Sequence, residues 1–256
     1  MAAGLGRASE TWPAGDHPGA LLASCPDLDP ARGPHESNRL VAEDAGGVTA
    51  ALRRDLAQRF GERGDRGASV GVQPRLFDAS PRNALRVPLL DAVFGDATFV
   101  YVARDPRRAI SEALSLWESG AAVTYPDLPG WTGPPWSLLL VPGWQELRGC
   151  ELAEIVTEQW VRAAQTLLDD LESLAPDRWC VTEFEALLAD PVTEARRLFG
   201  FLDLHWHPGF AAPLVGMAQA RGAAAPAPVR DELRPFLDRA EEPARRAAEW
   251  IAPRVE

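Results

Sequence analysis

Cysteine is scarce in this sequence, and long apolar runs are missing. The chain has 256 residues and three cysteines, Cys25, Cys150 and Cys180, whose spacings do not match those of metal or redox pairs. A small, odd number of cysteines is typical of a reducing compartment. No apolar segment is long enough to span a bilayer, and the first residues lack the apolar core of a secretory signal. We therefore expect a soluble, cytoplasmic protein.

Positive charge is also in short supply. The 26 basic residues, all of them arginine, are outnumbered by 37 aspartate and glutamate residues, which gives a formal net charge of -11. An acidic surface disfavours general nucleic-acid binding. It leaves room for a small anionic ligand, because salt screens the distant charges from a local arginine pocket. We expect neither a nucleic-acid nor a membrane partner, and the sequence leaves the oligomeric state open.

Several motifs are missing as well. No Gly-x-x-x-x-Gly-Lys-Ser/Thr sequence is present, which disfavours a kinase-type phosphate loop, and there are no repeats or coiled-coil heptads. His205 and His207 flank Trp206, but the sequence offers no third ligand beside them. We therefore expect no metal site.

The order of the predicted elements is that of an α/β protein. Strands are predicted at 72–77, at 99–103 and from Trp179. Helices are predicted over 39–60, from Ser80 with Pro81 at the first position, over 106–117, over 151–174 and from Pro191, and one helix or a helix pair over 229–251. The alternation indicates a small parallel sheet with helices on both faces. Residues 1–38, rich in proline, glycine and alanine, are predicted to be a loose N-terminal arm, and residues 39–256 a single domain.

The apolar run Phe99–Ala103 is followed directly by Arg104, and then by an Asp-Pro pair and a helical pattern. This is the pattern of a buried strand that brings a cation to the carboxyl edge of a sheet, where a helix begins. Open α/β sheets bind ligands at that edge, and helix N-termini favour anions. The pattern predicts a phosphate or sulfate site at Arg104. The residues alone leave open that Arg104 instead pairs with a neighbouring carboxylate.

Residues 119–150 are rich in proline, glycine and tryptophan. A segment of this length without regular structure is usually functional or disordered, and three tryptophans favour packing over disorder. Trp131, Trp136 and Trp144 are compatible with a lid or acceptor pocket, and equally with a loop packed over the core of the domain.

Several short motifs, in a consistent order over about residues 25–205, carry a family resemblance. They are Arg82-Asn83-Ala84-Leu85-Arg86, Arg104-Asp105-Pro106-Arg107, Val123-Thr124-Tyr125, Gly130-Trp131-Thr132-Gly133-Pro134-Pro135-Trp136, Glu158-Gln159-Trp160, Asp177-Arg178-Trp179 and the stretch from Phe184 to Pro191. The chain resembles the bacterial sulfotransferases, which use 3′-phosphoadenosine 5′-phosphosulfate (PAPS) and have a P-loop-kinase-like fold. The resemblance implies transfer of a sulfuryl group from PAPS to an acceptor hydroxyl or amine, with no metal required.

The resemblance also implies roles for particular residues. Arg104 would hold the 3′-phosphate of the nucleotide, with Ser111 as a hydroxyl donor. Arg82 and Arg86 lie four residues apart on one helical face, and the residues leave open whether they point at the ligand or form a solvated stripe. Arg221 resembles a late element of the family that covers the nucleotide.

An acidic residue near position 40 serves as the catalytic base in related sulfotransferases. Glu36 is the first candidate for that base here, and Glu43 is the second. Surface-loop glutamates without a catalytic role are the competing interpretation for both.

The chain departs from the family pattern in three places. No strand with a Gly/Ser-rich phosphosulfate loop is evident near the start, so the fold is expected to lack its first strand. Ala79 stands where the family has a lysine, and Glu112 stands where it has a serine beside the 3′-phosphate. These departures favour an alternative, a diverged sulfotransferase-like domain that binds or interacts without catalysis.

Overall fold

The computed structural model of the chain describes residues 11–13, 25, 28–30, 36–46, 48–52, 75–222 and 228–251. Six strands are present in this part of the chain: β1 (Thr11–Pro13), β2 (Arg75–Phe77), β3 (Phe99–Ala103), β4 (Val123–Tyr125), β5 (Trp136–Ser137) and β6 (Trp179–Glu183). Residues 53–60 of the first predicted helix and most of the predicted arm lie outside the described residues.

Helices make up most of the described chain. The α-helices are α1 (Val87–Val93), α2 (Pro106–Ser119), α3 (Leu152–Glu172), α4 (Phe184–Ala189), α5 (Pro191–Phe201), α6 (Ala211–Gly222) and α7 (Glu241–Ile251). Residues 48–52 are also helical. Short 3-10 segments lie at Ala42–Asp44, Pro81–Leu85, Trp144–Leu147, Pro176–Arg178, Pro208–Phe210, Asp231–Leu233 and Leu237–Ala240.

The parallel pairing predicted from the sequence is confirmed. β3 and β6 run parallel, with Phe99 opposite Trp179 and Ala103 opposite Glu183. The helices α2 and α4 follow these two strands directly. The carboxyl ends of β3 and β6 therefore meet at one edge, where Arg104 leaves β3 and Phe184 begins α4. The predicted mixed α/β class with a small parallel sheet is correct.

A strand lies where the sequence predicted none. β1 pairs in parallel with β2, and Pro13 lies opposite Phe77. Thr11 and Trp12 are residue types that favour extended backbone, but a three-residue run inside a proline- and glycine-rich segment carries too little signal to be recognised. The carboxyl ends of β1 and β2 also meet at a common edge.

The predicted helix from Ser80 begins as expected but does not continue as one helix. The Ser80 hydroxyl accepts a hydrogen bond from the Arg82 backbone N–H at 3.3 Å, with Pro81 at the first position. After a 3-10 segment the backbone leaves helical geometry at Arg86, where φ is -136°. Pro88 lacks an N–H to bond back across this point, so α1 starts anew at Val87.

The tryptophan-rich loop packs into the core. Trp136 is fully buried, and its indole N–H donates to the Leu139 carbonyl at 3.0 Å. It makes edge-to-face contacts with Trp117, Trp131 and Trp144 at centroid distances of 5.3, 5.0 and 6.0 Å. The sequence is compatible with a lid or acceptor pocket and with a loop packed over the core. The structure favours the packed loop.

Replacing Trp136 with alanine is expected to lower the free energy of unfolding by about 3–5 kcal/mol, because its side chain is fully buried and packs against three other tryptophan rings. Urea unfolding followed by circular dichroism measures this change. Leu116→Ala is the control, since 39% of Leu116 is exposed, and we expect a change within about 0.5 kcal/mol. Equal losses in the two variants would show that the loop is not part of the core.

Candidate functional site

The first group of candidate residues surrounds Arg104 at the end of β3. The two terminal nitrogens of its guanidinium donate to the two carboxylate oxygens of Glu112, at 2.7 and 2.8 Å. The guanidinium lies over the ring of Phe184, 4.5 Å from the centroid, and its Nε is buried without a hydrogen-bond partner in the described part of the chain. The alternative in which Arg104 pairs with a neighbouring carboxylate is therefore the observed state, and the carboxylate is that of Glu112.

The charges around this pair are not predominantly positive. The hydrogen bond to Arg104 lowers the pKa of Glu112, burial opposes this, and the charges of Arg104 and Arg221 add to the lowering. The same hydrogen bond raises the pKa of Arg104, against burial and with help from the charges of Glu112, Glu185 and Asp105. The structure thus brings Arg104 and Arg221 into one neighbourhood, which also holds three carboxylates. We call Arg104, Glu112, Phe184 and Arg221 the Arg104 cluster.

Ser111 lies beside this cluster but is directed to the helix backbone. It is fully buried in α2, and its hydroxyl donates to the carbonyl of Arg107 at 2.8 Å. Ser111 would have to give up this bond to donate to a ligand. Its phosphate-binding role stays a prediction.

A second group of polar residues lies just beyond the end of β2. The Asn38 side-chain amide donates to the Tyr125 hydroxyl at 2.7 Å, and its carbonyl oxygen accepts the Leu140 backbone N–H at 2.7 Å. The Nε of Arg86 donates to the Asn38 backbone carbonyl at 3.4 Å. The charge of Arg82 reaches both Arg86 and Tyr125. We call Asn38, Arg82, Arg86 and Tyr125 the Arg86 cluster.

Sequence reasoning missed two members of the Arg86 cluster and gave little weight to a third. Tyr125 belongs to a family motif that by itself indicates no role for its hydroxyl, and the sequence pattern places Arg86 on a helix face with Arg82 but indicates no burial. No local signal marks Asn38, because its partners Tyr125 and Leu140 are distant in sequence.

Comparisons with known proteins agree with the resemblance. The model of the sulfotransferase family matches residues 31–208, more than half of the chain. The chain belongs to the sulfotransferase family. No curated protein sequence matches it significantly. Among solved structures it is similar to the sulfotransferase domain from the curacin biosynthetic pathway, with 14% identity, a TM-score of 0.48 and coverage of 94% of this chain and 92% of that one. These findings do not favour the non-catalytic alternative.

The two predicted catalytic carboxylates of this member of the sulfotransferase family lie in different settings. Glu36 is exposed, its backbone carbonyl accepts the indole N–H of Trp144 at 2.8 Å, and it is two residues from Asn38 of the Arg86 cluster. Glu43 is exposed in the 3-10 segment Ala42–Asp44, which packs against α1. Along the sequence, Glu36 is therefore the nearer of the two carboxylates to Asn38 of the Arg86 cluster.

The described residues contain no group of three or more side chains that could hold a metal ion. His207 accepts the Gly209 backbone N–H at its Nδ1, at 3.0 Å, and so caps a turn. In the described part of the chain, no helix combines the length and the apolar character needed to cross a membrane. None of the three cysteines, all of which are described, forms a disulfide.

The pair of Arg104 and Glu112 predicts a pH dependence of stability. Because the pKa of Glu112 is lower in the folded than in the unfolded protein, the pair stabilises the fold above the ordinary glutamate pKa of 4.5. This contribution is lost as the pH falls from that value through the lower folded pKa. We expect Glu112→Gln to lose less stability than the wild type between pH 5 and the acid limit of folding, as measured by urea titrations at several pH values. Parallel curves for the two proteins would contradict this.

Proposed function

We propose that the protein transfers a sulfuryl group from PAPS to a hydroxyl or amine acceptor, in the cytoplasm. The observation that carries the proposal is the position of Arg104. Its guanidinium stands at the carboxyl edge of parallel strands, beside the start of α2, in a chain of the sulfotransferase family. A guanidinium fork at such an edge suits the oxygens of a nucleotide phosphate. The three cysteines, without a disulfide, support a reducing compartment.

The proposed reaction is an in-line displacement at sulfur. The acceptor oxygen or nitrogen forms a bond to sulfur while the bond between sulfur and the bridging phosphate oxygen breaks. The leaving group is 3′-phosphoadenosine 5′-phosphate (PAP), and the acceptor proton passes to a base, for which we propose Glu36. Positioning and positive charge around the sulfuryl oxygens supply most of the catalysis in this kind of transfer.

In this proposal Arg104 holds the 3′-phosphate, with Arg221 nearby and Arg82 directed at the sulfuryl end. Glu112 must release Arg104 when the nucleotide binds, because a carboxylate and a phosphate cannot share one guanidinium fork. The protein should therefore bind PAP, but with part of the binding free energy used to separate Arg104 from Glu112.

Calorimetric titration with PAP tests the proposal. We expect measurable binding to the wild type and a loss of about 10- to 100-fold in affinity for Arg104→Ala, the range for a charge-assisted pair of hydrogen bonds. Arg107→Ala is the matched control, since Arg107 is an exposed arginine on the same helix. Absence of PAP binding to the wild type, or equal binding to Arg104→Ala, would contradict the proposal.

A further inference from the structure

Arg86 is a buried cation that forms no ion pair with the residues that the structure describes. Only 3% of the residue is exposed, and the one hydrogen bond of its side chain within the described chain is the 3.4 Å contact with the Asn38 carbonyl. Burial, followed by repulsion from Arg82, lowers the pKa of Arg86 to about 10. By contrast, Arg39 is also partly buried but donates with both terminal nitrogens to the carboxylate of Asp170. A buried charge that lacks a partner costs free energy, so its retention calls for an explanation.

Arg82 adds a second positive charge at the same place. Its side chain is half-buried and makes no hydrogen bond or ion pair with the described residues. The nearby carboxylates do not neutralise the two arginines. Asp29 and Asp78 act on Arg86 only through weaker charge effects, and Asp78 accepts the Asn83 side-chain amide at 2.9 Å. Two neighbouring cations without an ion pair are stabilised by an anion from outside the chain.

Tyr125 supplies a third donor. The hydroxyl is buried, and its oxygen already accepts the hydrogen bond from Asn38. Its own proton has no acceptor in the described chain and remains available to a ligand oxygen. The carbonyl oxygen of the Asn38 side chain accepts the Leu140 backbone N–H, and this bond orients the amide that donates to the Tyr125 hydroxyl.

The position of these donors is also that of a ligand site. Arg82 follows β2 by a few residues, and Pro13 at the end of β1 lies opposite Phe77 at the end of β2. The Arg86 cluster is therefore adjacent to the carboxyl edge of a parallel pair of strands, where α/β proteins bind anions.

We propose that Arg82, Arg86 and Tyr125 form a site for a tetrahedral oxyanion, and that its occupant is the sulfuryl group of the donor. The second part rests on the proposed function. Two guanidinium groups and a hydroxyl match the three equatorial oxygens of a sulfuryl group in transfer, on which negative charge must be stabilised. Arg82 and Arg86 would supply the positive charge that is missing at Ala79, where the family has a lysine. The other source of the same chemistry is a phosphate of the nucleotide.

Titration with inorganic sulfate at constant ionic strength tests the site itself. We expect Arg82→Gln and Arg86→Gln to weaken sulfate binding by about 10-fold or more, and Tyr125→Phe by a smaller factor. Arg107→Gln, an exposed arginine outside both clusters, should bind as the wild type does. Arg82→Gln and Tyr125→Phe keep the test valid if Arg86→Gln does not fold. Wild-type affinity in both Arg82→Gln and Tyr125→Phe, or no sulfate binding to the wild type, would overturn the site.

Competition between sulfate and nucleotides identifies the occupant. If the site holds the sulfuryl group, PAPS competes with sulfate, whereas PAP, which lacks that group, binds together with sulfate. Competition by PAP would assign the site to a nucleotide phosphate and overturn the sulfuryl assignment. If neither nucleotide binds but sulfate binding still depends on Arg82 and Tyr125, the proposed PAPS function and the sulfuryl assignment fail while the oxyanion site stands.

Discussion

Replacing Glu112 with serine is expected to tighten the binding of PAP by about 10- to 100-fold. In the wild type both terminal nitrogens of Arg104 are occupied by the Glu112 carboxylate, which would also repel a 3′-phosphate. The serine variant removes that carboxylate, frees the guanidinium fork and offers a hydroxyl donor in its place. One bidentate, charge-assisted contact accounts for a change of this size.

Calorimetry with PAP and with adenosine 5′-phosphate separates the effect at the 3′ position from the rest of the nucleotide. We expect the gain for PAP only, since adenosine 5′-phosphate carries no 3′-phosphate to meet Arg104. Glu185→Gln is the matched control, because Glu185 acts on Arg104 through its charge but does not occupy the fork. An equal gain in Glu185→Gln would show that net charge, rather than occupation of the fork, limits binding. No gain in Glu112→Ser would contradict the placement of the 3′-phosphate at Arg104.

The second large effect is expected at Glu36. If Glu36 accepts the acceptor proton, Glu36→Gln should lower the rate of sulfuryl transfer by about 10²- to 10⁴-fold, the range for loss of a general base. The measurement is the initial rate of PAP release from PAPS with a panel of hydroxyl and amine acceptors. The affinity for PAP should stay unchanged, because the proposal assigns the binding of PAP to Arg104 and only the transfer of the proton to Glu36.

Glu43→Gln provides the comparison for this experiment. Both glutamates are exposed, but only Glu36 stands two residues from Asn38, so the Glu43 variant is expected to retain its rate. The reverse result, with a large loss in Glu43→Gln alone, would move the base to the 3-10 segment. A small change in both variants would show that neither carboxylate takes the proton.

The framework around Arg104 could be predicted from the sequence because its signals are local. An apolar run followed by Arg-Asp-Pro and a helical pattern gave β3, the start of α2 and the edge position of Arg104. The side-chain cap at Ser80 could also be predicted, because a serine followed by proline is a frequent helix start.

The contacts that decide the chemistry could not be predicted, because they depend on residues brought together by the fold. Glu112 was recognised as an unfavourable neighbour for a phosphate, but its pairing with Arg104 requires the turn between β3 and α2 to fold the arginine back along the helix. The Asn38–Tyr125 bond joins residues that share no local pattern. β1 could not be predicted, because three residues are too few to show the alternating pattern of a strand.

Gln159 on α3 restricts where the tryptophan-rich loop can change in length. Its side-chain amide donates to the carbonyls of Ser137 and Leu139, at 2.9 and 2.6 Å, on both sides of Leu138. Leu138 has a φ of 62°, a left-handed conformation that a leucine adopts only at a cost. An inserted or deleted residue here would remove one of the two acceptors from Gln159. Length variation in this loop should therefore be tolerated among the exposed residues 132–135 and rejected at 137–139.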